Sequence, residues 1–269
     1  MKAAGKTIAV TGGGNGIGRQ LVLDLLGRGA RVAALDISEA GLAETAALAG
    51  DKADRLSTHV ANITDRDAVD ALPAAIIAAH GQIDGVINCA GIIQPFVKVN
   101  ELDYSAIERV MNVNFWGVMN MTKAFLPHLL ERPAAHIVNI SSMGGFLPVP
   151  GQSVYGASKA AVKLLTEALH SELMETNVSV TVVFPGAIAT DISKNSGLDA
   201  PGVDEAGDAP KFKMTAPADA ARIIVDAMEA DAYRVCVGSD SKMMDRLCRL
   251  MPERAAGIIY KQMRSLLDN

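Results

Sequence analysis

The stretch Thr11-Gly-Gly-Gly-Asn-Gly-Ile-Gly18 stands between a β-rich run, Thr7–Val10, and a helical pattern that begins at Arg19. Glycines allow a backbone to approach a diphosphate closely, and the N-terminus of a helix offers N–H groups and a positive dipole to its charge. The spacing is Gly12-x-x-x-Gly16-x-Gly18, which differs from the common G-x-G-x-x-G fingerprint. The order of strand, glycine turn and helix nevertheless favours a dinucleotide-binding turn over an ordinary tight loop.

Outward from this turn, β-rich runs alternate with helical patterns. The predicted strands are Thr7–Val10, Arg31–Leu35, Leu56–Val60, Gly85–Asn88, His136–Ile140, Val178–Phe184 and Arg234–Val237. The predicted helices are Arg19–Leu26, Ser38–Leu48, Asp65–Ala79, Tyr104–Leu130, Ser153–Glu175 and Ala218–Ala230. Several strands are continuously apolar, which is typical of parallel strands covered on both faces. We therefore predict an α/β protein, a single-domain Rossmann fold over residues 1–269, with a doubly wound parallel sheet of about seven strands and helices on both faces.

Two segments depart from this alternation. Residues 193–210 are rich in Gly, Pro and acidic residues without periodicity, so we predict a substrate lid loop over residues 193–215. Residues 239–269 carry apolar residues at helical spacing, which predicts a helical C-terminal extension. We expect this extension to pack on the body or on a partner chain rather than on a membrane surface.

Composition excludes several classes of function. The 269 residues are 49% hydrophobic with a net charge of −5, and they contain no basic block, which argues against a nucleic-acid partner. Apolar runs are too short for a membrane span, and the N-terminus lacks the apolar stretch of a signal peptide. Cys89, Cys236 and Cys248 match neither a zinc spacing nor a disulfide framework. These features predict a cytoplasmic protein without a metal site.

An acidic residue ends the second predicted strand. Asp36 lies 18 residues beyond Gly18, close to the spacing expected for the acid that binds the adenosine ribose. A carboxylate there would repel a 2′-phosphate, and the neighbouring Asn15 and Ile37 are uncharged. The sequence therefore predicts NAD rather than NADP as the cofactor.

Tyr155 and Lys159 are four residues apart in Ser153-Val-Tyr-Gly-Ala-Ser-Lys159, and so lie on one face of a predicted helix. A cation beside a phenol favours phenolate, so we expect Lys159 to lower the pKa of Tyr155. A tyrosine tuned in this way can exchange a proton with a substrate oxygen. Asn88, Ser142 and Pro185 all follow the carboxyl ends of predicted strands, which is the edge where open parallel sheets bind ligands.

With these residues in place, the chain from Lys6 to about Gly238 resembles the short-chain dehydrogenase/reductase family. The motifs fall in the family's order: Thr11–Gly18, Asn62-Ile63, Asn88-Cys-Ala-Gly91, Asn114, Ser142, Tyr155 with Lys159, and Pro185-Gly-Ala-Ile-Ala-Thr190. Ser142 lies 13 residues before Tyr155, as the family's catalytic serine does. Asn62 and Cys89 depart from the family's usual Asp and Asn.

The resemblance implies reversible hydride transfer between NAD and a secondary alcohol or ketone. The implied catalytic residues are Asn114, Ser142, Tyr155 and Lys159. Tyr155 would be the general acid and base, Lys159 would hold the nicotinamide ribose, Ser142 would bind the substrate oxygen, and Asn114 would support a proton-relaying water. The implied cofactor residues are Gly12, Asn15, Gly16, Ile17, Gly18, Asp36, Ile37, Asn62, Ile63, Asn88, Ala90, Gly91, Tyr155, Lys159, Pro185, Gly186, Ile188 and Thr190. Family members commonly pair through helices equivalent to Tyr104–Leu130 and Ser153–Glu175, which implies a homo-oligomer, either a dimer or a tetramer.

The expected substrate wall is mostly apolar. Its candidates are Ile92, Ile93, Gln94, Met143, Phe146, Val149, Val154, Ile188 and Ile192, with Ser142 and Tyr155 at the reacting oxygen. No Arg or Lys falls among them, so we expect an uncharged, hydrophobic substrate. A 3-oxoacyl reductase remains an alternative, although such enzymes usually use NADP, which Asp36 disfavours. A non-catalytic NAD-binding regulator is the other alternative, and the intact set of four catalytic residues disfavours it.

Overall fold

Seven parallel strands form one sheet at the centre of the molecule, in the order β3-β2-β1-β4-β5-β6-β7. The computed structural model describes residues 1–198 and 214–264. The strands are β1 Thr7–Thr11, β2 Arg31–Asp36, β3 Leu56–Val60, β4 Gly85–Asn88, β5 Ala135–Ile140, β6 Val178–Pro185 and β7 Arg234–Val237. Every neighbouring pair is parallel. The predicted α/β Rossmann fold with about seven parallel strands is confirmed.

Helices cover both faces of the sheet. They are α1 Gly16–Gly27, α2 Glu39–Ala49, α3 Arg66–His80, α4 Tyr104–Met111, α5 Gly117–Leu130, α6 Ser153–Glu172, α7 Ile192–Asn195, α8 Pro217–Glu229, α9 Ser239–Leu250 and α10 Pro252–Met263. Apolar side chains of α1, α2 and α8 form one buried cluster, and those of α3, α5 and α6 form another. Because the strands lie between these two clusters, β1, β4 and β5 are buried along their whole length. This double burial explains their continuously apolar sequences.

The sheet order reverses between β1 and β4, which are paired from Ile8 and Gly85 to Thr11 and Asn88. The crossovers leave these two strands toward opposite faces, so a crevice opens at their carboxyl ends. Thr11 joins the two sides, because its Oγ1 accepts hydrogen bonds from the N–H groups of Cys89 (2.9 Å) and Ala90 (3.1 Å). The glycine turn after β1 and the segment after β4 therefore face each other across this crevice.

One predicted element is interrupted. The helix expected over Tyr104–Leu130 is two α-helices, α4 and α5, joined by a π-helical turn at Asn112–Trp116. A π-turn adds a residue to a helical turn and so changes the direction of the side chains that follow. Asn114 lies within this turn and is fully buried.

The predicted C-terminal extension forms two helices, α9 and α10, that meet at Met251. Met244, Ala255 and Ile259 pack around Leu147 in a small cluster of their own. No helix in the described ranges is long and apolar enough to cross a membrane. Of the predicted lid, residues 193–198 and 214–215 belong to the described part of the chain, and the remaining positions lie outside it.

Candidate active site

The glycine turn after β1 has the shape of a diphosphate cradle. Gly12 has φ +73°, and a Cβ there would lie 3.1 Å from the Cα of Ala90. A Cβ on Gly18 would lie 1.9 Å from the carbonyl oxygen of Gly12. Asn15, which precedes α1, caps none of the helix's N–H groups with its side chain. The turn therefore offers a bare backbone and a helix N-terminus, which fit the diphosphate of a nicotinamide dinucleotide.

Asp36 at the end of β2 is bound to the same turn. Its Oδ2 accepts from the N–H of Gly14 at 2.9 Å, and its Oδ1 accepts from the N–H of Ser38 at 2.9 Å. These contacts fix the carboxylate beside the glycines while its half-buried side chain still borders the crevice. An acid in this position fits ribose hydroxyls and adds negative charge where a 2′-phosphate would lie.

A cavity of about 1060 Å³ runs along the carboxyl edge of the sheet. It is lined by every residue predicted to bind the cofactor except Asn88. The Asn88 side chain is buried behind the crevice, where its Nδ2 donates to Oδ1 of Asn139 at 2.8 Å. This contact joins β4 to β5, so Asn88 supports the sheet edge and does not border the cavity.

Ser142, Tyr155 and Lys159 line the same cavity. Ser142 follows β5, and its Oγ accepts from the N–H of Gly144 at 3.0 Å, which closes a short 3₁₀ turn. Tyr155 lies in the first turn of α6 and Lys159 in the next turn. The Lys159 Nζ lies 6.0 Å from the centroid of the Tyr155 ring. The structure therefore brings these three predicted catalytic side chains to one wall of the cavity.

Burial is the largest influence on the pKa values of Tyr155 and Lys159. Desolvation raises the pKa of Tyr155 above its ordinary value, with a smaller opposing effect from the Ser142 hydroxyl. Desolvation also lowers the pKa of Lys159 to about 8. The Lys159 Nζ donates to the carbonyl oxygen of Ile140 at 3.0 Å rather than to the phenol. Desolvation therefore outweighs other influences on the pKa of Tyr155, and the lowering expected from Lys159 together with a positively charged nicotinamide stays a prediction.

Asn114 is buried away from the cavity. Its Oδ1 accepts from the N–H of Ile92 at 2.9 Å, while its Nδ2 donates to the carbonyl oxygen of Ile92 (2.9 Å) and to Oγ of Ser158 (3.0 Å). The side chain thus ties the segment after β4 to α6. Its predicted role in supporting a water stays a prediction.

The predicted substrate wall divides into two groups. Ile92, Ile93, Ile188 and Ile192 line the cavity. The side chains of Met143, Phe146 and Val149 instead pack against the cluster formed by Leu147 and the C-terminal helices, and Val154 does not border the cavity either. The sequence could not place α9 and α10 over this turn, and these helices draw the three side chains away from the cavity. Gln94 is buried, and within the described residues its amide binds backbone groups of Gly151, Val154 and Tyr155.

The sequence reasoning missed a polar stripe on α4 and the start of the π-turn. Ser105, Glu108, Arg109 and Asn112 line the cavity. Their spacing of i, i+3, i+4 and i+7 places them on one helical face, which is a signal that the sequence contained. Arg109 is thus a basic residue of the cavity lining that the predicted apolar wall did not include.

The described beginning of the predicted lid crosses this cavity. The Nδ2 of Asn195 donates to Oδ1 of Asn15 on the glycine turn at 2.9 Å. On the other side, Oγ of Ser196 accepts from the N–H of Ile93 at 3.0 Å, and Arg109 donates to the Ser196 carbonyl oxygen. Residues 192–197 therefore connect the glycine side of the crevice to the α4 side.

Comparisons with known proteins agree with this geometry. Residues 6–200 match the model of the family described as short chain dehydrogenase. The chain is 40% identical over 253 residues to a protein of Mycobacterium tuberculosis named as an oxidoreductase, SadH, covering 92% of this chain and 91% of that protein.

Two solved structures share the fold. A short chain dehydrogenase from Burkholderia cenocepacia in complex with NADP is 27% identical with a TM-score of 0.80, covering 96% of this chain and 99% of that one. A 3-ketoacyl-(acyl-carrier-protein) reductase from Brucella melitensis complexed with NADH is 26% identical with a TM-score of 0.78, covering 89% and 99%. The match of the family model to most of the chain, together with this likeness to SadH, shows that the chain is an oxidoreductase of the short-chain dehydrogenase/reductase family.

Proposed function

We propose that the protein catalyses reversible hydride transfer between NAD and the carbinol carbon of a secondary alcohol, with Tyr155 as the general acid and base. The observation that carries this proposal is the shared cavity. The glycine turn and Asp36 line the same cavity as Ser142, Tyr155 and Lys159. A nicotinamide, when bound, supplies the hydride acceptor or donor and, in its oxidised form, a positive charge.

The protein's own residues transfer the proton of the substrate hydroxyl and stabilise the substrate oxygen. The Tyr155 phenol takes the hydroxyl proton of an alcohol during oxidation and returns a proton to a ketone oxygen during reduction. The Oγ of Ser142 accepts from the N–H of Gly144, and its own hydrogen can be donated to the substrate oxygen. This donation stabilises the negative charge that develops on that oxygen.

Lys159 has donors to spare for a ribose. Its ammonium has three hydrogens, and within the described residues one of them is used, at the carbonyl oxygen of Ile140, on a side chain that borders the cavity. An ammonium held here also favours the phenolate form of Tyr155 once further positive charge is bound nearby.

The test of the reaction is absorbance at 340 nm with NAD and a panel of secondary alcohols. We expect wild-type protein to reduce NAD, and Tyr155→Phe to lower kcat by about 10²–10⁴-fold, because the proton acceptor is lost. Tyr104→Phe is the matched control, since Tyr104 is exposed on α4. Oxidation by Tyr155→Phe at nearly the wild-type rate would contradict the assignment. NAD binding without turnover of any alcohol or ketone would favour a regulator instead.

The preference for NAD is part of the proposal and rests on Asp36. Asp36→Asn keeps an acceptor for the N–H of Gly14 but removes the negative charge. We expect the ratio of kcat/KM for NAD to that for NADP to fall by about tenfold or more, because one carboxylate–phosphate repulsion is lost. The control is Asp51→Asn, because Asp51 lies on the exposed surface. Asp84→Asn is unsuitable, because Asp84 is buried and paired with Lys6 and Arg132. An unchanged ratio in Asp36→Asn would show that another group selects the cofactor.

The proposed substrate is uncharged and hydrophobic, since Ile92, Ile93 and Ile192 line the cavity. A 3-oxoacyl reductase remains a second candidate. The similarity to the Brucella reductase with bound NADH removes cofactor preference as an argument against it. Reduction of acetoacetyl-CoA by NADH distinguishes the two: a kcat/KM above that for simple ketones would favour the acyl substrate.

A further inference from the structure

Gln94 comes directly after Ile93, which lines the cavity. Its side chain is fully buried although its amide is polar. All of its described hydrogen bonds go to the segment that opens α6. Its Oε1 accepts from the N–H groups of Val154 (2.8 Å) and Tyr155 (2.9 Å). Its Nε2 donates to the carbonyl oxygen of Gly151 at 3.0 Å. The side chain therefore satisfies two donors and one acceptor within five residues of chain.

The start of α6 needs an outside acceptor. The first N–H groups of a helix have no partner within the helix, and a side chain just before it usually supplies one. At α6 the preceding residue is Gln152, whose side chain caps none of them. The Gln152 Nε2 instead donates to the backbone oxygen of Gln94 at 2.8 Å. Gln94 thus caps the helix from a segment 60 residues away in the sequence.

The cap formed by Gln94 contacts Tyr155, the proposed general acid and base, directly. One of the two N–H groups that Gln94 binds belongs to Tyr155 itself. The preceding Ile93 lines the cavity and is bound to Ser196. The same short segment therefore holds the cavity wall, the beginning of the crossing segment and the first turn of the catalytic helix.

We propose that Gln94 is a positioning residue that fixes the first turn of α6, and with it the phenol of Tyr155, against the cavity wall. The proposal rests on the role proposed for Tyr155. Loss of the Oε1 acceptor leaves two N–H groups without a partner, so the first turn frays and water reaches the phenol.

Tyr155 can be followed without any substrate. The chain has four tyrosines, and labelling the full-length protein with [¹³Cζ]tyrosine reports the ionisation of each phenol, with the Tyr155 signal assigned from Tyr155→Phe. The variants are Gln94→Met, which removes the acceptor at similar volume, and Gln94→Glu, which retains an acceptor. Amide hydrogen exchange at Val154 and Tyr155 is measured on the same proteins.

A matched control exists at the opposite edge of the sheet. Gln82 precedes β4, its Nε2 donates to Asp84 at 2.7 Å, and its Oε1 accepts from Arg132 at 2.8 Å. Gln82→Met therefore removes a comparable set of side-chain hydrogen bonds far from Tyr155. If Gln94→Met does not fold, Gln94→Asn, which shortens the side chain by one methylene, is measured in its place.

In Gln94→Met we expect hydrogen exchange at Val154 and Tyr155 to quicken by about tenfold or more, since their N–H groups lose their acceptor. The pKa of Tyr155 should fall toward its ordinary value, because desolvation is what raises it. Gln94→Glu should keep the exchange protection, and Gln82→Met should change neither reading. Should an alcohol be oxidised in the assay above, kcat of Gln94→Met should fall about tenfold, with the KM for NAD nearly unchanged.

Unchanged exchange and an unchanged pKa of Tyr155 in Gln94→Met would overturn the proposal. So would an equal change in Gln82→Met, since that result would reduce Gln94 to a general contributor to stability. Neither reading depends on turnover, so a failure of the proposed reaction and a failure of the positioning role are distinguishable.

Discussion

At the scale of single residues, Lys159 is a buried cation in the site. It is 4% exposed, and no acidic side chain pairs with it in the described part of the chain. Burial lowers its pKa from an ordinary value of 10.5 to about 8. That difference corresponds to a destabilisation of about 3 kcal/mol at neutral pH, where the buried side chain must carry a charge.

Replacing Lys159 with Met should therefore stabilise the protein while it impairs catalysis. We expect the free energy of unfolding at pH 7 to rise by about 1–3 kcal/mol, reduced by the hydrogen bond lost at Ile140. The unfolded chain binds more protons than the folded one between pH 8 and 10.5, so the wild type gains stability as pH rises through that range. The advantage of Lys159→Met should accordingly shrink above pH 8.

Urea unfolding of the protein without cofactor, at pH 7 and at pH 9.5, measures this difference. Lys163→Met is the control, because Lys163 lies one turn further along α6 and is partly exposed beside Glu167. A Lys159→Met protein less stable than wild type at pH 7 would contradict the expected sign.

Tyr155, Lys159 and Gln94 show what a sequence motif can predict and what it cannot. The spacing of Tyr155 and Lys159 was sufficient to place both on one helical face, because that face follows from helix geometry alone. The sign of the pKa change at Tyr155 was not available, because it depends on how much chain covers the phenol. Gln94 was predicted to line the substrate wall with Ile92 and Ile93, but its side chain binds the first turn of α6 instead.

At the scale of elements, strands and helices were predicted closely where the pattern was continuous. Five of the six predicted helices each correspond to one described helix, whereas the one over Tyr104–Leu130 is divided by the π-turn. Apolar residues recur through that turn, so the pattern contains no sign of the break. The interruption places Asn114 against Ile92 and Ser158, a contact that the sequence could not show.

The C-terminal helices give a test at this scale. Ile259 of α10 is 5% exposed and packs in the cluster around Leu147, whereas the adjacent Ile258 is 41% exposed. Ile259→Ala should lower the free energy of unfolding by about 2–4 kcal/mol, because it leaves a cavity in that cluster. Ile258→Ala, the matched control, should change it by less than about 1 kcal/mol.

Thermal and urea unfolding of both variants measure the difference. Met143 and Phe146, one and four residues after Ser142, pack against the Leu147 cluster. Equal effects of the two alanine substitutions would show that α10 does not pack on this turn in solution.

At the scale of the whole molecule, the predicted assembly into a dimer or tetramer stays a prediction. The segments expected to form the contact carry exposed apolar side chains, among them Trp116 just before α5, Leu164 within α6 and Met174 just after it. Leu164 is 67% exposed. Apolar side chains on an outer helical face favour association with another copy.

Leu164→Glu should therefore shift the protein toward monomer, because a carboxylate would be buried in the helix contact. Light scattering coupled to size-exclusion chromatography measures the mass at a fixed concentration. Leu250→Glu is the control, since Leu250 is 79% exposed on α9, away from these helices. An oligomer that persists in Leu164→Glu and dissociates in Leu250→Glu would place the contact at the C-terminal helices instead.

The sequence by itself determined the Rossmann fold, the glycine turn and the Tyr155–Lys159 face, because each depends on local spacing along one element. The carboxyl edge as the place of the site also followed from strand order, since parallel strands end together. Only the tertiary structure decided the properties that depend on burial and on contacts between residues far apart in the sequence. It raised the pKa of Tyr155, placed Arg109 on the cavity wall and turned Met143 and Phe146 toward α9 and α10. These outcomes depend on which segments cover a side chain, and a pattern along one element does not contain that information.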